Sequence, residues 1–188
     1  FTYSNTWTLA ISFCHVGKTI AADGDLVLAG SPDYSNNDGV GFALKWSGTA
    51  YAALGTTMEY APFSAKFFAA AAIHEDHVFI GVPLYIEQPF GTLGFSQYRK
   101  YTGTAIPSVM SSLDALTPPE FTVQFAAAIA ADDALLAIGA PADSVDVGVV
   151  YTYDLGKIGY DTSSIFLPGS SIKGTGPSTP SLQLAGSY

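Results

Sequence analysis

Charged residues are the scarcest class in this sequence. The 188 residues include 16 Asp and Glu and only 7 Lys and Arg, a charged fraction of 12% and a net charge of −9. A soluble domain usually carries about twice this charged fraction. So few cations among so many acids cannot follow a phosphate backbone, and nucleic acid is excluded as a partner. Intrinsic disorder is excluded as well, because 48% of the residues are hydrophobic.

Long hydrophobic runs and cysteines are also missing. The longest apolar runs, residues 67–73 and 125–131, have seven residues each, whereas a membrane-spanning helix needs about 20. We therefore expect no membrane span. The single cysteine, Cys14, excludes an internal disulfide framework and is interpreted as a small buried apolar side chain. The chain begins at Phe1 with neither an initiator Met nor a signal peptide, and we expect it to be processed or a fragment.

What the sequence does contain is an internal repeat. Three segments share the same order: a small-apolar run, a short polar turn, a second apolar run and Gly-x-Pro. The repeat signature consists of Gly30, Pro32, Gly81, Pro83, Gly139 and Pro141. These glycines are 51 and 58 residues apart, and an apolar lead starts 14 residues before each, at Val16, Phe67 and Phe125. Self-similarity of this period is typical of propellers and other repeat architectures.

A second element follows each signature glycine. Its copies begin 9, 10 and 9 residues after that glycine, at residues 39–42, 91–95 and 148–151. Trp46 and Tyr101 then precede a tight turn, with a weaker copy at Tyr153. Each repeat is predicted to form four short strands; in the first repeat these are residues 17–22, 25–30, 39–46 and 50–54. The alanine runs are predicted as strands, because they are too short for a stable lone helix.

These repeats predict an all-β fold of β-propeller-like blades, each of four antiparallel strands, with about three and a half blades in the chain. We predict outer strands of a preceding or shared blade in residues 1–15, and one blade each in residues 16–57, 58–113 and 114–168. Residues 169–188 are interpreted as a Gly/Ser/Thr/Pro-rich tail or linker, with a glycosylated stalk or a closing strand near residues 182–184 as alternatives.

The pattern resembles the FG-GAP repeat, which is found in integrin α-subunit propellers and in many microbial secreted proteins. The resemblance covers residues 1–168 and is closest over residues 125–141. It implies a propeller that works outside the cell or at its surface. Calcium-binding repeats of this family carry an Asp-rich loop between the first strand and Gly-Ala-Pro. That space holds only short turns here, so calcium is not expected at them.

Other acidic residues supply oxygen ligands that would suit calcium. These are Asp33 and Asp38 after the first Gly-x-Pro, and Asp143 and Asp146 at the matching place in the third repeat. Asp and Asn also favour turns, and an ordinary turn is the preferred interpretation of both loops. His74 and His77 are three apart in a predicted turn, whereas the helical zinc motif needs a spacing of four. No cofactor is therefore predicted.

No catalytic residue is predicted either. The sequence has no Gly-x-Ser-x-Gly elbow and no evident partner for its histidines. We expect a non-enzymatic structural, adhesion or protein-interaction module, with other proteins or copies of itself as partners, that self-assembles through open blade edges. The alternative is a carbohydrate-binding or carbohydrate-active propeller. In that case sugars would stack on aromatic rings such as Tyr85, Phe90, Tyr98 and Tyr101.

An incomplete set of blades leaves three assemblies open. The chain could be part of a longer propeller. Residues 1–11 of one copy could complete the last blade of another, or the N-terminal strands could close a four-blade ring of their own.

Overall fold

The computed structural model describes residues 15–55, 57–59, 65–84, 86–87, 91–92, 94–103, 106, 115–116, 124–142, 148–155, 166–173 and 183–185. The segment 1–14 lies outside the described residues. So do four residues considered above, which are Tyr85, Phe90, Asp143 and Asp146. No helix among the described residues is long and apolar enough to cross a membrane.

Sheet 1 is built by the first repeat as an antiparallel meander. Its strands, in spatial order, are β1 (Thr19–Asp23), β2 (Leu26–Ser31), β3 (Val40–Trp46) and β4 (Tyr51–Ala53). A single turn, α1 (Tyr34–Asn37), separates β2 from β3, and β5 (Met58–Glu59) pairs with the start of β3. No predicted boundary of the first four strands is more than two residues from the observed one, so the strand prediction for this repeat is confirmed.

Sheet 2 repeats the meander with an insertion. β6 (Ala71–His74) and β7 (His77–Val82) come first, and β8 (Ile86–Glu87) and β9 (Gly91–Thr92) then form a separate hairpin. β10 (Phe95–Lys100) and β11 (Ala115–Leu116) return to the sheet, in the order β11-β10-β7-β6. β6 contains Ala71 and Ala72, the second half of an alanine run that helix propensity would favour as a helix, and these two residues form a strand as predicted.

Sheet 3 has five strands in chain order. They are β12 (Ala128–Ala131), β13 (Leu135–Ala140), β14 (Val149–Asp154), β15 (Phe166–Lys173) and β16 (Gln183–Ala185). β15 and β16 lie mostly within the segment that was predicted to be a tail or linker. The linker interpretation is therefore wrong for residues 169–173, which pair with β14, and for residues 183–185, which pair with β15. β16 lies where the alternative of a closing strand near residues 182–184 placed it. The described secondary structure confirms the all-β prediction.

The cross-strand register corrects one detail of the repeat alignment. Gly30 pairs with Gly41, and Gly81 pairs with Ser96. The residue two positions before Ser96 is Gly94, which therefore matches Gly39. The prediction that started this element at Gly91 is wrong, because the β8–β9 hairpin lengthens the loop in the second repeat only.

The aromatic position of the third repeat needs a similar correction. The backbone N–H groups of Trp46 and Tyr101 donate to the carbonyls of Asp25 and Asp76 across their hairpins. In sheet 3 the corresponding donor is Leu155, which bonds the carbonyl of Ala134. Leu155, and not Tyr153 as predicted, is therefore the residue of the third repeat that corresponds to Trp46 and Tyr101.

Two apolar clusters hold the three sheets together. The first cluster packs the sheet 1 residues Leu26, Leu28 and Ala43 against one face of sheet 2, which supplies Ile73, Val78, Ile80, Val82 and Phe95. The second packs Ala72 and Phe79, from the other face of sheet 2, against sheet 3 residues that include Leu136, Ile138 and Tyr153. Alternate residues of a strand face opposite sides, so sheet 2 is buried on both faces. The first strands β1, β6 and β12 lie next to one another.

Candidate functional site

A four-residue turn precedes each sheet, at residues 15–18, 66–69 and 124–127; we call these the lead turns. In each, the N–H of the fourth residue donates to the carbonyl of the first, with N···O distances of 3.3, 3.1 and 3.3 Å. The third residue of each lead turn has a positive φ: Gly17 at +92°, Phe68 at +68° and Ala126 at +66°. Only glycine adopts such a φ freely, so Phe68 and Ala126 hold a conformation that costs about 1–3 kcal/mol.

The lead turns of sheets 2 and 3 fit against glycines of the preceding sheet. On sheet 1, a Cβ at Gly30 or Gly41 would overlap the ring of Phe68, and a Cβ at Gly39 would overlap the backbone of Phe67. Because these three positions of sheet 1 are glycines without side chains, the lead turn of sheet 2 can pack directly against the backbone of sheet 1.

The same fit recurs between sheets 2 and 3. A Cβ at Gly81 would overlap the carbonyl oxygen of Ala126, and a Cβ at Gly94 would overlap the backbone of Phe125. We call each glycine pair a glycine socket: Gly30 and Gly39 on sheet 1, Gly81 and Gly94 on sheet 2, Gly139 and Gly148 on sheet 3. The face that carries the socket is the rear face of its sheet, and the opposite face is the front face.

Polar contacts reinforce the junction between sheets 1 and 2. The backbone N–H groups of Lys66 and Phe67 donate to the carbonyls of Asn37 and Asp38 at 2.7 and 3.0 Å. Those carbonyls belong to the last residue of α1 and to the residue that follows it, and Asn37 has a φ of +71°. Asn tolerates the left-handed region better than most residues, because its short side chain can hydrogen-bond locally. The polar loop after Gly-x-Pro thus serves the sheet-to-sheet junction.

Side chains add further bonds across this junction. The hydroxyl of Thr19 donates to the carbonyl of Ala69 at 3.1 Å, and Lys45 Nζ donates to the hydroxyl of Tyr101 at 2.7 Å. The latter bond raises the pKa of Lys45, because it favours the ammonium form. The Asp23 carboxylate accepts the backbone N–H of Glu75 at 3.0 Å, which joins the two hairpin ends.

The socket of sheet 3 holds no lead turn from the described part of the chain. Within the described residues, a Cβ on Gly139 would meet Ala128 of its own sheet, at 3.4 Å, and one on Gly148 would approach Pro141 at 3.3 Å. Gly139 pairs directly with Val150, and directly opposed residues share a face. This rear face is therefore an open copy of the surface that is occupied on sheets 1 and 2.

Exposed apolar side chains gather at this open face and at its counterpart. The exposed large hydrophobic residues of the described ranges are Val16 at 38%, Ile20 at 64%, Leu135 at 47% and Val150 at 38%. Leu135 and Val150 lie on the rear face of sheet 3. Val16 lies in the lead turn of sheet 1 and Ile20 on its front face. Phe67 and Phe125 occupy the position of Val16 in the other two lead turns, and both are fully buried. The lead turn and first strand of sheet 1 and the rear face of sheet 3 thus expose apolar side chains, whereas Val40 and Phe42 on the front face of sheet 1 are buried.

Two of the acidic residues that were considered as calcium ligands, Asp33 and Asp38, lie in the described residues and contact other protein groups. The carboxylate of Asp33 accepts a hydrogen bond from Lys18 and lies 3.9 Å from His15 Nδ1. The bond from Lys18 lowers the pKa of Asp33. Asp38 closes α1 by donating its backbone N–H to the carbonyl of Ser35.

The structure brings together a different trio, Glu75, Asp76 and His77. Within the described residues it is the only group of three candidate ligands whose ligand atoms lie within 4.8 Å of one another. Its central carboxylate, on Asp76, is already paired with His77 at 3.0 Å and with Lys100 at 3.1 Å. The trio is a polar hairpin end whose central carboxylate already has protein partners, and an exposed ion pair such as that of Asp76 with Lys100 contributes little to stability.

Two of the aromatic rings suggested for sugar stacking, those of Tyr98 and Tyr101, lie in the described residues, and both make contacts within the protein. Tyr98 stacks on His77, with ring centroids 5.4 Å apart, and lies 5.8 Å from Phe79. Tyr101 is buried and accepts the hydrogen bond from Lys45.

No protein-family model matches the chain, and no curated protein is significantly similar to it in sequence. Evidence on function therefore comes from the geometry of the sheets, their sockets and their open ends.

Proposed function

We propose that this protein is a non-enzymatic interaction module of FG-GAP-like propeller blades, acting outside the cell or at its surface in adhesion or in a structural assembly. One observation carries the proposal. The junction of a glycine socket with a lead turn is built twice inside the chain, and a third lead turn on sheet 1 and a third socket on sheet 3 meet no such partner among the described residues. A surface that the protein already uses to join its own sheets is suited to joining further sheets.

The blade interpretation is supported by three features of the sheets. Each begins as an antiparallel meander, the first strands lie side by side, and small residues predominate in those strands. Strands crowded near a central axis favour small side chains, as in propeller blades. The positive φ at Gly17, Phe68 and Ala126 also matches the glycine of the Phe-Gly pair in the FG-GAP pattern.

The test compares protein association with sugar chemistry. We expect sedimentation velocity across a concentration series to show reversible self-association. A glycan array and a panel of glycoside hydrolase substrates should both be negative. Specific binding of a glycan class, or turnover of any substrate, would overturn the proposal in favour of a carbohydrate-directed propeller.

A further inference from the structure

We infer that the open socket of sheet 3 receives the lead turn of sheet 1 from a second copy of this chain, so that copies join head to tail. The inference rests on the proposed function and specifies its partner and its contact surface. The head is the sheet 1 lead turn (residues 15–18) together with Ile20. The tail is the rear face of sheet 3, with Gly139, Gly148, Leu135 and Val150.

The sizes of the side chains that meet in each junction favour this partner. In the first junction the large Phe68 lies over a socket in which Gly30 is opposed by Gly41. In the second, the smaller Ala126 contacts a socket in which Gly81 is opposed by Ser96.

The open socket continues this series. Gly139 is opposed by the still larger Val150, which leaves room for a lead turn with no side chain at its third position. The lead turn of sheet 1 has Gly17 there, with the same positive φ. Because close packing requires the summed volumes to match, a bulky opposing residue and a glycine in the turn are complementary.

Exposed apolar surface agrees with the same pairing. In sheets 2 and 3 the residues matching Ile20 are Ala71 and Ile129, and both pack against the cluster shared with the preceding sheet. Ile20 is 64% exposed and lacks such a neighbour among the described residues. Docking on the tail would place Ile20 beside Leu135 and Val150 and remove all three side chains from water.

A polar contact is also available in the docked arrangement. The Asp23 carboxylate accepts the N–H of Glu75 across the first junction. By register, Asp132 matches Asp23 and Gly24 matches Glu75. The Asp132 carboxylate of one copy would therefore face the backbone N–H of Gly24 in the next copy, where the two groups can form the equivalent of the Asp23–Glu75 hydrogen bond.

Head-to-tail contact is heterologous, so it generates a ring when the rotation between copies closes and an open filament when it does not. It also makes a complementation test available. Ile20→Glu blocks the head at an exposed position, and Gly139→Val fills the tail socket at a site where a Cβ meets no backbone of another sheet. Val150→Glu is a second tail variant, and Thr49→Glu adds the same charge on the exposed β3–β4 turn as a control.

Circular dichroism and thermal unfolding first establish that the variants fold, and sedimentation velocity then measures association. We expect wild type and Thr49→Glu to form oligomers that grow with concentration. Each variant with a blocked head or tail should self-associate with an affinity at least about 30-fold lower. An equimolar mixture of Ile20→Glu and Gly139→Val should stop at a 1:1 dimer, because the dimer exposes one blocked head and one blocked tail.

Three results would overturn the inference. Unchanged association of the blocked variants would mean that other surfaces, such as strand edges, join the copies, and the proposed function would stand. Loss of association in the tail variants alone would indicate tail-to-tail contact, again leaving the proposed function intact. A wild type that stays monomeric at every concentration would remove both the inference and the self-assembly in the proposed function.

Discussion

The two internal junctions of this protein use one backbone arrangement with different side chains. In both, the second glycine of the socket lies against the backbone of a buried phenylalanine: Gly39 against Phe67, and Gly94 against Phe125. The next residue of the lead turn differs, being Phe68 in the first junction and Ala126 in the second. The comparison teaches that the close backbone approach is the common element, and that the turn residue varies together with the residue opposite the first socket glycine.

The largest effect is expected from emptying the first junction. Phe68→Ala removes a fully buried ring, and we expect it to lower the free energy of unfolding by about 3–5 kcal/mol in chemical denaturation. Gly41→Ser in the wild type should also destabilise, by about 1–3 kcal/mol, because the side chain would overlap the ring.

The double variant Phe68→Ala/Gly41→Ser sharpens the comparison, because it gives the first junction the side chains of the second. We expect Gly41→Ser to cost at least about 1 kcal/mol less in this background than in the wild type. Additive effects of the two substitutions would show that the residues do not share one space.

An intermediate effect is expected at the backbone approach. Gly39 and Gly48 both have positive φ, +86° and +96°, but a Cβ would overlap Phe67 at Gly39 and would meet nothing within 4 Å at Gly48. Gly48→Ala should therefore cost only the conformational penalty of about 1–2 kcal/mol. Gly39→Ala should cost about 1–3 kcal/mol more, since the lead turn has to move.

Gly94→Ala tests the same approach in the second junction, against the backbone of Phe125. Denaturation midpoints of the three alanine variants provide the measurement. Equal costs at Gly39 and Gly48 would refute the idea that the close approach stabilises the junction.

The smallest effect concerns a polar difference between the junctions. Arg99 lies over the ring of Phe67, 5.9 Å from its centroid, and by register the matching residue is Tyr153, whose ring is 6.5 Å from that of Phe125. Burial, followed by the charge of Tyr151, raises the pKa of Tyr153. An unfolded tyrosine ionises near pH 10, so the stabilising contribution is complete below about pH 10 and is lost as the pH rises further.

Tyr153→Phe should remove this contribution to the pH dependence. Above about pH 10, the wild type should lose up to about 1.4 kcal/mol per pH unit more than the variant. Urea denaturation at several alkaline pH values measures the difference. Parallel pH profiles of the two proteins would mean that Tyr153 ionises equally in the folded and unfolded chains.

Local signals were sufficient for the four main strands of the first repeat. Polar turns between apolar runs predicted β1 to β4, and the repeat predicted strands for the alanines of β6 and β12 in spite of their helix propensity. The alignment at Gly91 failed, because an inserted hairpin changes spacing without changing the pairing of Gly81 with Ser96. The linker interpretation failed at β15, because composition carries no information about which strand accepts a neighbour.

The candidate site was less accessible to sequence reasoning. Val16, Phe67 and Phe125 were aligned correctly as the starts of the leads, since their spacing to the signature glycines is constant. Nothing in that spacing reveals that Phe68 and Ala126 adopt a positive φ. The one available signal was Gly17, the glycine at the same position in the first repeat.

The sequence by itself determined the all-β class, the three repeated segments and the strand positions of the first repeat, because alternation and turn chemistry act over a few residues. Only the tertiary structure decided which glycines meet which turns, and which faces remain open. Those contacts join residues such as Gly39 and Phe67, which come together when two sheets pack. The fit between a socket and a lead turn depends on side-chain volume and on backbone direction in three dimensions. Neither property produces a periodic pattern in the sequence from which the contact could be predicted.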